Sequence, residues 1–292
     1  MSNTWGVSPA YFISRFGDRF TPGDVVTGLS EIIEIGFDAF QLEIFHADSI
    51  ATWVNGGLQE ALQAATSLHL APTQFVGHVL LNAFTDEQSL YSEWGIEEAA
   101  SMAEVLTSAC PVFTIPIPAF SIPFEARCDN ACWSRIENRF SEKLATIASA
   151  VAARSIKVAL EVLPGSLVGG IGGFLDLACR IEEATGTKVG FNLDTGHAYA
   201  SGELLPLAIR RLGSGITGTH LCDNRGRENL SLAPGKGDIR WNDVLDALHV
   251  TGYRGSCDIE INCPADRVHG EYAGALRFLE TAAEQTYTQE AV

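Results

Sequence analysis

Basic residues are scarce in this chain. Lysine and arginine number 19 against 36 aspartates and glutamates, a net charge of −17. Such a field repels polyanions, so nucleic acid is not an expected partner. No apolar run approaches about 18 residues, so no membrane span is expected. The first residues, "MSNTWGVSPAYFISRFGDRF", show no basic stretch leading into an apolar one, so no secretory leader is expected. The seven cysteines (Cys110, Cys128, Cys132, Cys179, Cys222, Cys257 and Cys263) are scattered, with no Cys-x-x-Cys pair. A disulfide framework or zinc knuckle is therefore not expected; the cysteines read as reduced core residues of a cytoplasmic protein. A glycine-rich phosphate loop is also missing. After the first apolar run stands "VSPAYFISRFG", which argues against a doubly wound dinucleotide fold.

What is present is alternation. The chain has 292 residues and is 46% hydrophobic, enough for a large core. "WGVSPAYFI" reads as a strand, and "PGDVVTGLSEIIEIG" as a helix entered at Thr21-Pro22 and stopped at Gly36. Strand and helix then follow in turn: "FDAFQLEIF" and "LQEALQAATSLHL", "APTQFVGHVLL" and "EEAASMAEVLTSAC", "VFTIPIPAF" and "RIENRFSEKLATIASAVAARS". The second half continues with "KVALEVLP" and "GFLDLACRIEEATG", "VGFNLDTGH" and "LLPLAIRRLG", "GITGTHLCDN" and "WNDVLDALHVTG", "GSCDIEIN" and "EYAGALRFLETAAEQT". Strands separated by helices are parallel. Eight such units with no domain-sized remainder predict a single-domain α/β fold over residues 1–292, a (β/α)8 TIM barrel. The longest irregular stretch, residues 118–132 after the fourth strand, is read either as cover for a site or as a tolerated insertion.

In such a barrel, reactive groups stand at the C-terminal ends of the strands. The fifth strand ends near Glu161, the sixth in Asp194 with His197 close behind, the seventh in His220 and Asp223, and the eighth in Glu260. Four successive tips thus carry oxygen or nitrogen ligands, and no lysine or arginine stands at these tips to neutralise them. Buried carboxylates need a counter-charge. One divalent metal ion held by Glu161, Asp194, His220 and Glu260 supplies it, with Mn²⁺ first and Mg²⁺, Co²⁺ or Zn²⁺ as alternatives.

The pieces "ALEVLPGS", "GFNLDTGHAYASGE", "THLCDN", "APGKGDIRW" and "CDIEIN", in that order, resemble the xylose isomerase-like barrel superfamily. This is the sugar isomerase and epimerase group that also contains endonuclease IV, and the nearest likeness is to ketose 3-epimerases. The resemblance implies the same four metal ligands, with Glu161 and Glu260 also acting as acid and base and His197 contacting substrate. Two positions depart from the epimerase pattern: Leu167 replaces a glutamate, and Gly226, between Arg225 and Arg227, replaces an arginine. A free ketohexose is therefore not assured as substrate. Endonuclease IV is matched at His78, but Asn229 and Ser231 stand where it has further ligands.

The expected chemistry is proton transfer next to a carbonyl through a metal-stabilised enediolate, on a sugar or sugar derivative. Return of the proton gives epimerisation or isomerisation. Loss of a β-substituent gives the alternative, a lyase or dehydratase acting on an oxidised sugar, inosose or glycoside. His197 is read either as a donor to a substrate oxygen or as a group orienting Asp194. Glu43, His46 and His78 face the same mouth as substrate contacts. Arg225 is read as a substrate contact or as part of a solvated loop, and Trp53 as a stacking surface or as core. The partner is a small carbohydrate; a homo-oligomer is left open.

Overall fold

The structure, a computed structural model, describes residues 4–106, 110–122 and 129–289. The first half of the chain forms β1 (Trp5–Val7), α1 (Ala10–Phe16), α2 (Pro22–Ile35), β2 (Ala39–Glu43), α3 (Ile50–Thr52) and α4 (Leu58–Ser67). There follow β3 (Ala71–Val76), α5 (Glu87–Tyr91), α6 (Ile96–Leu106), β4 (Val112–Ile117) and α7 (Asn130–Ala152). The second half forms β5 (Lys157–Val162), α8 (Ile171–Thr185), β6 (Val189–Asp194), α9 (Thr195–Ala200) and α10 (Leu205–Leu212). It ends with β7 (Ile216–His220), α11 (Trp241–Val250), β8 (Cys257–Ile259) and α12 (Val268–Gln289).

The eight strands are parallel and run in the order β7-β6-β5-β4-β3-β2-β1-β8, a single-domain (β/α)8 barrel. Its two edges meet at one bridge, Leu221 with Ile259. Side chains help to stitch this seam: the Thr219 hydroxyl donates to the Ser256 carbonyl at 3.0 Å and accepts from Asp258 N at 3.1 Å. The apolar core includes Phe40 and Leu42 of β2, Leu29 and Ile32 of α2, and Leu144 and Ile147 of α7, all buried. Among the described residues, no helix is long and apolar enough to cross a membrane.

The α2 boundaries follow from its sequence. Thr21 and Asp24 form a reciprocal capping box, Pro22 opens the helix, and Gly36 ends it at φ 109°. The first strand is shorter than its apolar letters suggest. It stops at Val7, because Pro9 has no N–H for the ladder and its fixed φ of −58° suits helix entry, so "AYFISRF" becomes α1. The third strand likewise ends at Val76, and His78–Ala83 turn as a 3₁₀ segment.

The cysteines also need correction. Cys132 is disulfide-bonded and Cys179 is exposed, so these two are not reduced core residues. In the stretch after β4, Ser121 N donates to the Thr85 carbonyl at 2.7 Å. Residues 123–128 of that stretch lie outside the described residues, and Cys128 with them.

Side chains alternate across a strand, so the residue two before each tip also faces the barrel interior. This gives a floor beneath the mouth: Gln41 below Glu43, Asn192 below Asp194, Gly218 below His220 and Asp258 below Glu260. The glycine is needed for space. A Cβ at Gly218 would lie 1.9 Å from Gln74 Oε1 and 2.7 Å from Asn192 Oδ1. Gly218→Ala is expected to cost about 1–3 kcal/mol by overpacking. Shortening Gln74 to Ala in the same chain should recover part of it, as read by urea unfolding of the single and double variants.

Candidate active site

His220 is the buried centre of the mouth. Its Nε2 lies 2.8 Å from Gln41 Oε1. That oxygen also accepts from Gln74 Nε2 at 3.1 Å, while Gln41 Nε2 donates to Asp258 Oδ2 at 2.9 Å and to the Thr219 carbonyl at 3.3 Å. With the Gln41 amide so oriented by its network, His220 must carry a hydrogen on Nε2. Its other nitrogen, Nδ1, stands 3.1 Å from Glu161 Oε1 and 3.0 Å from Glu260 Oε2. A neutral ring would aim a bare lone pair at two carboxylates. A proton or a metal cation on that nitrogen turns the repulsion into attraction.

The electrostatics agree. Burial opposes charge on His220, but Glu161 and Glu260 overrule it and raise its pKa well above the usual imidazole range. Burial alone would raise Glu161, yet the neighbouring His220 charge and hydrogen bond bring it down to about 2. Asp194 is pushed up to about 7 by burial, which the His197 charge opposes and the charges of Glu260 and Glu161 reinforce.

Asp194 ends β6 and caps α9, its Oδ1 accepting from His197 N at 2.8 Å. Its Oδ2 is buried and has no hydrogen-bond partner. His197 Nε2 lies 3.6 Å from that oxygen and 3.9 Å from Glu161 Oε1, and His197 Nδ1 is buried without a hydrogen-bond partner. Ligand atoms of Glu161, Asp194 and His197 lie within 4.8 Å of one another, as do those of Asp194, Cys222 and Glu260. The residues present fit a divalent cation: a lone-pair nitrogen set by its tautomer, two facing carboxylates and an orphaned buried carboxylate oxygen.

The strand tips are completed by the loop after β7, which folds back over the mouth. Cys222 Sγ lies 3.5 Å from Asp194 Oδ1. Asn229 Nδ2 lies 3.4 Å from His197 Nε2, and Ser231 Oγ donates to Glu260 Oε1 at 3.3 Å from a backbone at φ 41°. Asp223 takes no part in the cation cluster. Its carboxylate accepts from the backbone N–H of Asn224, Gly235 and Ile239 and from the Trp241 indole, at 2.8–3.0 Å. It is the post that shapes this loop. Gln41, Gln74 and Cys222 were not picked out by motif. The signal for the two glutamines was their polar type inside the apolar runs of β2 and β3; Cys222 had no comparable signal.

Other expected residues sit as follows. Glu43 is buried at the end of β2, and its Oε1 is 3.0 Å from His78 Nδ1. Burial would lower the His78 pKa, but Glu43 raises it. The His78 ring stacks on Phe45 with centroids 4.1 Å apart. His46 Nε2 instead lies 3.1 Å from Asp18 Oδ2. Arg225 is exposed and donates to the Lys236 carbonyl. Trp53 is buried against Phe20 and belongs to the core.

An eight-stranded barrel with acids and imidazoles at the C-terminal strand ends is a TIM barrel carrying a polar mouth. Residues 29–282 match the xylose isomerase-like TIM barrel family, and the chain belongs to that family. An uncharacterized protein of Methanocaldococcus jannaschii is 27% identical over 161 residues, 54% of each chain, so the match spans about half of that relative. Among solved structures, a D-tagatose 3-epimerase-like protein is 19% identical with a TM-score of 0.75, over 98% of this chain and 99% of its own. An L-ribulose 3-epimerase is 17% identical with a TM-score of 0.74, over 100% and 97%. The IOLI protein, solved with a zinc atom bound, is 14% identical with a TM-score of 0.69, over 97% and 99%. At these identities the likeness establishes the fold.

Two outcomes test this geometry in chelator-treated protein. Replacing Glu161 or Glu260 by Gln removes an attraction for the imidazolium, so His220 should release its proton at a lower pH in each variant, followed by NMR of its ring C–H. Asp223→Ala leaves the Gly235, Ile239 and Trp241 donors without their acceptor and should cost at least about 2 kcal/mol by thermal or urea unfolding.

Proposed function

We propose that this protein is a divalent-metal-dependent isomerase or epimerase of a sugar or sugar derivative. The observation that carries the reading is the position of His220 Nδ1, 3.1 Å from Glu161 Oε1 and 3.0 Å from Glu260 Oε2. Support also comes from neighbours of the same fold described as ketose 3-epimerases, and from one described with bound zinc.

Glu161, Asp194, His220 and Glu260 would hold the ion, with His197 beside them. When bound, the metal supplies Lewis-acid polarisation of a substrate carbonyl. The chain's own residues do the rest. Glu161 and Glu260, on β5 and just past β8, both approach His220 Nδ1 and act as the two proton-transfer groups. One takes the proton from carbon next to the carbonyl and the other returns it. Return to the same carbon from the other face gives an epimer; return to the neighbouring carbon interconverts aldose and ketose. His197 Nδ1, unpartnered, is available to a substrate oxygen. The Glu43–His78 pair offers a second polar contact to a hydroxyl. A lyase or dehydratase acting on an oxidised sugar, inosose or glycoside is the second reading. It is favoured by Leu167, which packs against the apolar core where the epimerases resembled above carry a glutamate.

Elemental analysis of protein purified without chelator or metal-affinity tag should find about one divalent ion per chain, and the Glu161→Gln, Glu260→Gln double variant should lose it. Absence of metal after Mn²⁺, Co²⁺ or Zn²⁺ is added back would overturn the reading. Each single variant should slow solvent-deuterium exchange into an active ketose by about 10²–10⁴-fold. Metal affinity should also depend on pH. Asp194 keeps its proton up to about pH 7 in the metal-free protein, and His220 keeps its own to higher pH than a free imidazole. Metal and protons compete for these atoms. Affinity should therefore rise as pH increases through 7, with protons released on binding in calorimetry.

A further inference from the structure

Cys222 is fully buried beside the candidate metal centre, and the chemistry described above does not use it. Its backbone is fixed on both sides by one residue: Cys222 N donates to Thr195 Oγ1 at 2.9 Å, and Thr195 Oγ1 donates to the Cys222 carbonyl at 2.7 Å. Space for the sulfur is kept by Gly196, where a Cβ would lie 2.6 Å from Sγ. The ligand atoms of Asp194, Cys222 and Glu260 all lie within 4.8 Å of one another, and the buried Asp194 Oδ2 beside them has no hydrogen-bond partner. A tetrahedral zinc with sulfur at about 2.3 Å and oxygen at about 2.0 Å holds the two about 3.5 Å apart. Cys222 Sγ and Asp194 Oδ1 are 3.5 Å apart.

We propose that Cys222 Sγ is a metal ligand in this site and that the site is built for a thiophilic divalent cation of the zinc class. The inference rests on the proposed metal-dependent function and extends its ligand set. Carboxylate and imidazole alone suit hard and borderline ions; a sulfur ligand shifts preference towards Zn²⁺, Co²⁺ and Cd²⁺ and away from Mg²⁺ and Mn²⁺. As the metal–sulfur bond forms, the thiol proton passes to solvent and no electrons are transferred. A buried thiol that merely donates to Asp194 would leave metal preference unchanged.

The test uses Co²⁺ as the probe on chelator-stripped full-length protein kept reduced by a phosphine. Binding is followed by calorimetry and by absorbance. The expected result is a sulfur-to-cobalt charge-transfer band that saturates with Co²⁺ binding. Cys222→Ser and Cys222→Ala should lose the band while the visible cobalt transitions persist. Zn²⁺ affinity should fall at least about tenfold in these variants, since loss of an outer partner alone costs about 10–100-fold, whereas Mn²⁺ affinity should change much less. Co²⁺ binding to the unmodified protein without the band overturns the role of Cys222 and leaves the metal-dependent function standing. Failure to bind Co²⁺ at all overturns both.

Discussion

The mouth of this barrel is organised around one electrostatic requirement. The Nδ1 atom of His220 lies about equally close to Glu161 and Glu260, and burial alone would push the Glu161 carboxyl towards its neutral form. The arrangement is stable only with positive charge at that nitrogen, whether proton or metal. Everything nearby serves to hold the ring in that orientation. Gln41 receives its other nitrogen, Gln74 and Asp258 fix Gln41, and Gly218 leaves the room that Gln74 occupies. A flipped imidazole would turn its N–H away from Gln41 and leave that buried acceptor one donor short.

This division of labour separates stability from chemistry by height in the barrel. The floor residues bond to one another through Gln41, Gln74, Asn192 and Asp258, with Gln74 Oε1 and Asn192 Nδ2 left unpartnered. The tips keep atoms in reserve: Glu43 Oε2, Asp194 Oδ2 and His197 Nδ1 are buried without hydrogen-bond partners. Orphaned polar atoms are costly in a core, and those at the strand ends fit a site that is completed by what it binds. Asp223 shows the contrast. It sits three residues after His220 and reads as a further tip acid, yet both of its oxygens are consumed in shaping a loop.

The barrel and its four principal tip residues were legible in the sequence because they rest on repeated patterns: apolar runs, helical spacing and an acid or imidazole at the end of successive strands. The failures were local. "WGVSPAYFI" reads as one strand by hydrophobicity, and only the backbone chemistry of Pro9 divides it. The apolar run "VGFNLDTGH" reads as strand through His197, whereas the chain turns into the short α9 at Thr195 because Asp194 caps it. Gln41 and Gln74 share the parity of inward-facing positions, but polarity alone does not name a hydrogen-bond partner. Cys222, Asn229 and Ser231 approach the mouth through the fold-back of a loop, which leaves no periodic trace. His46 and Arg225 show the converse: suitable chemistry after the right strand, turned to other partners.

The barrel seam has a consequence for when the site exists. β8 pairs with β1, at the far end of the chain, and meets β7 at a single bridge. His220 lies on one side of that seam and Glu260 on the other. A growing chain that has made β1 to β7 holds most of the apolar core, but its mouth lacks the second carboxylate and the Asp258 anchor for Gln41. The last strand to emerge therefore closes the sheet and brings in the charge partner in one step. Partly made chains are left with the lone imidazole–glutamate contact, and the cluster at the mouth is complete only when β8 has joined the sheet.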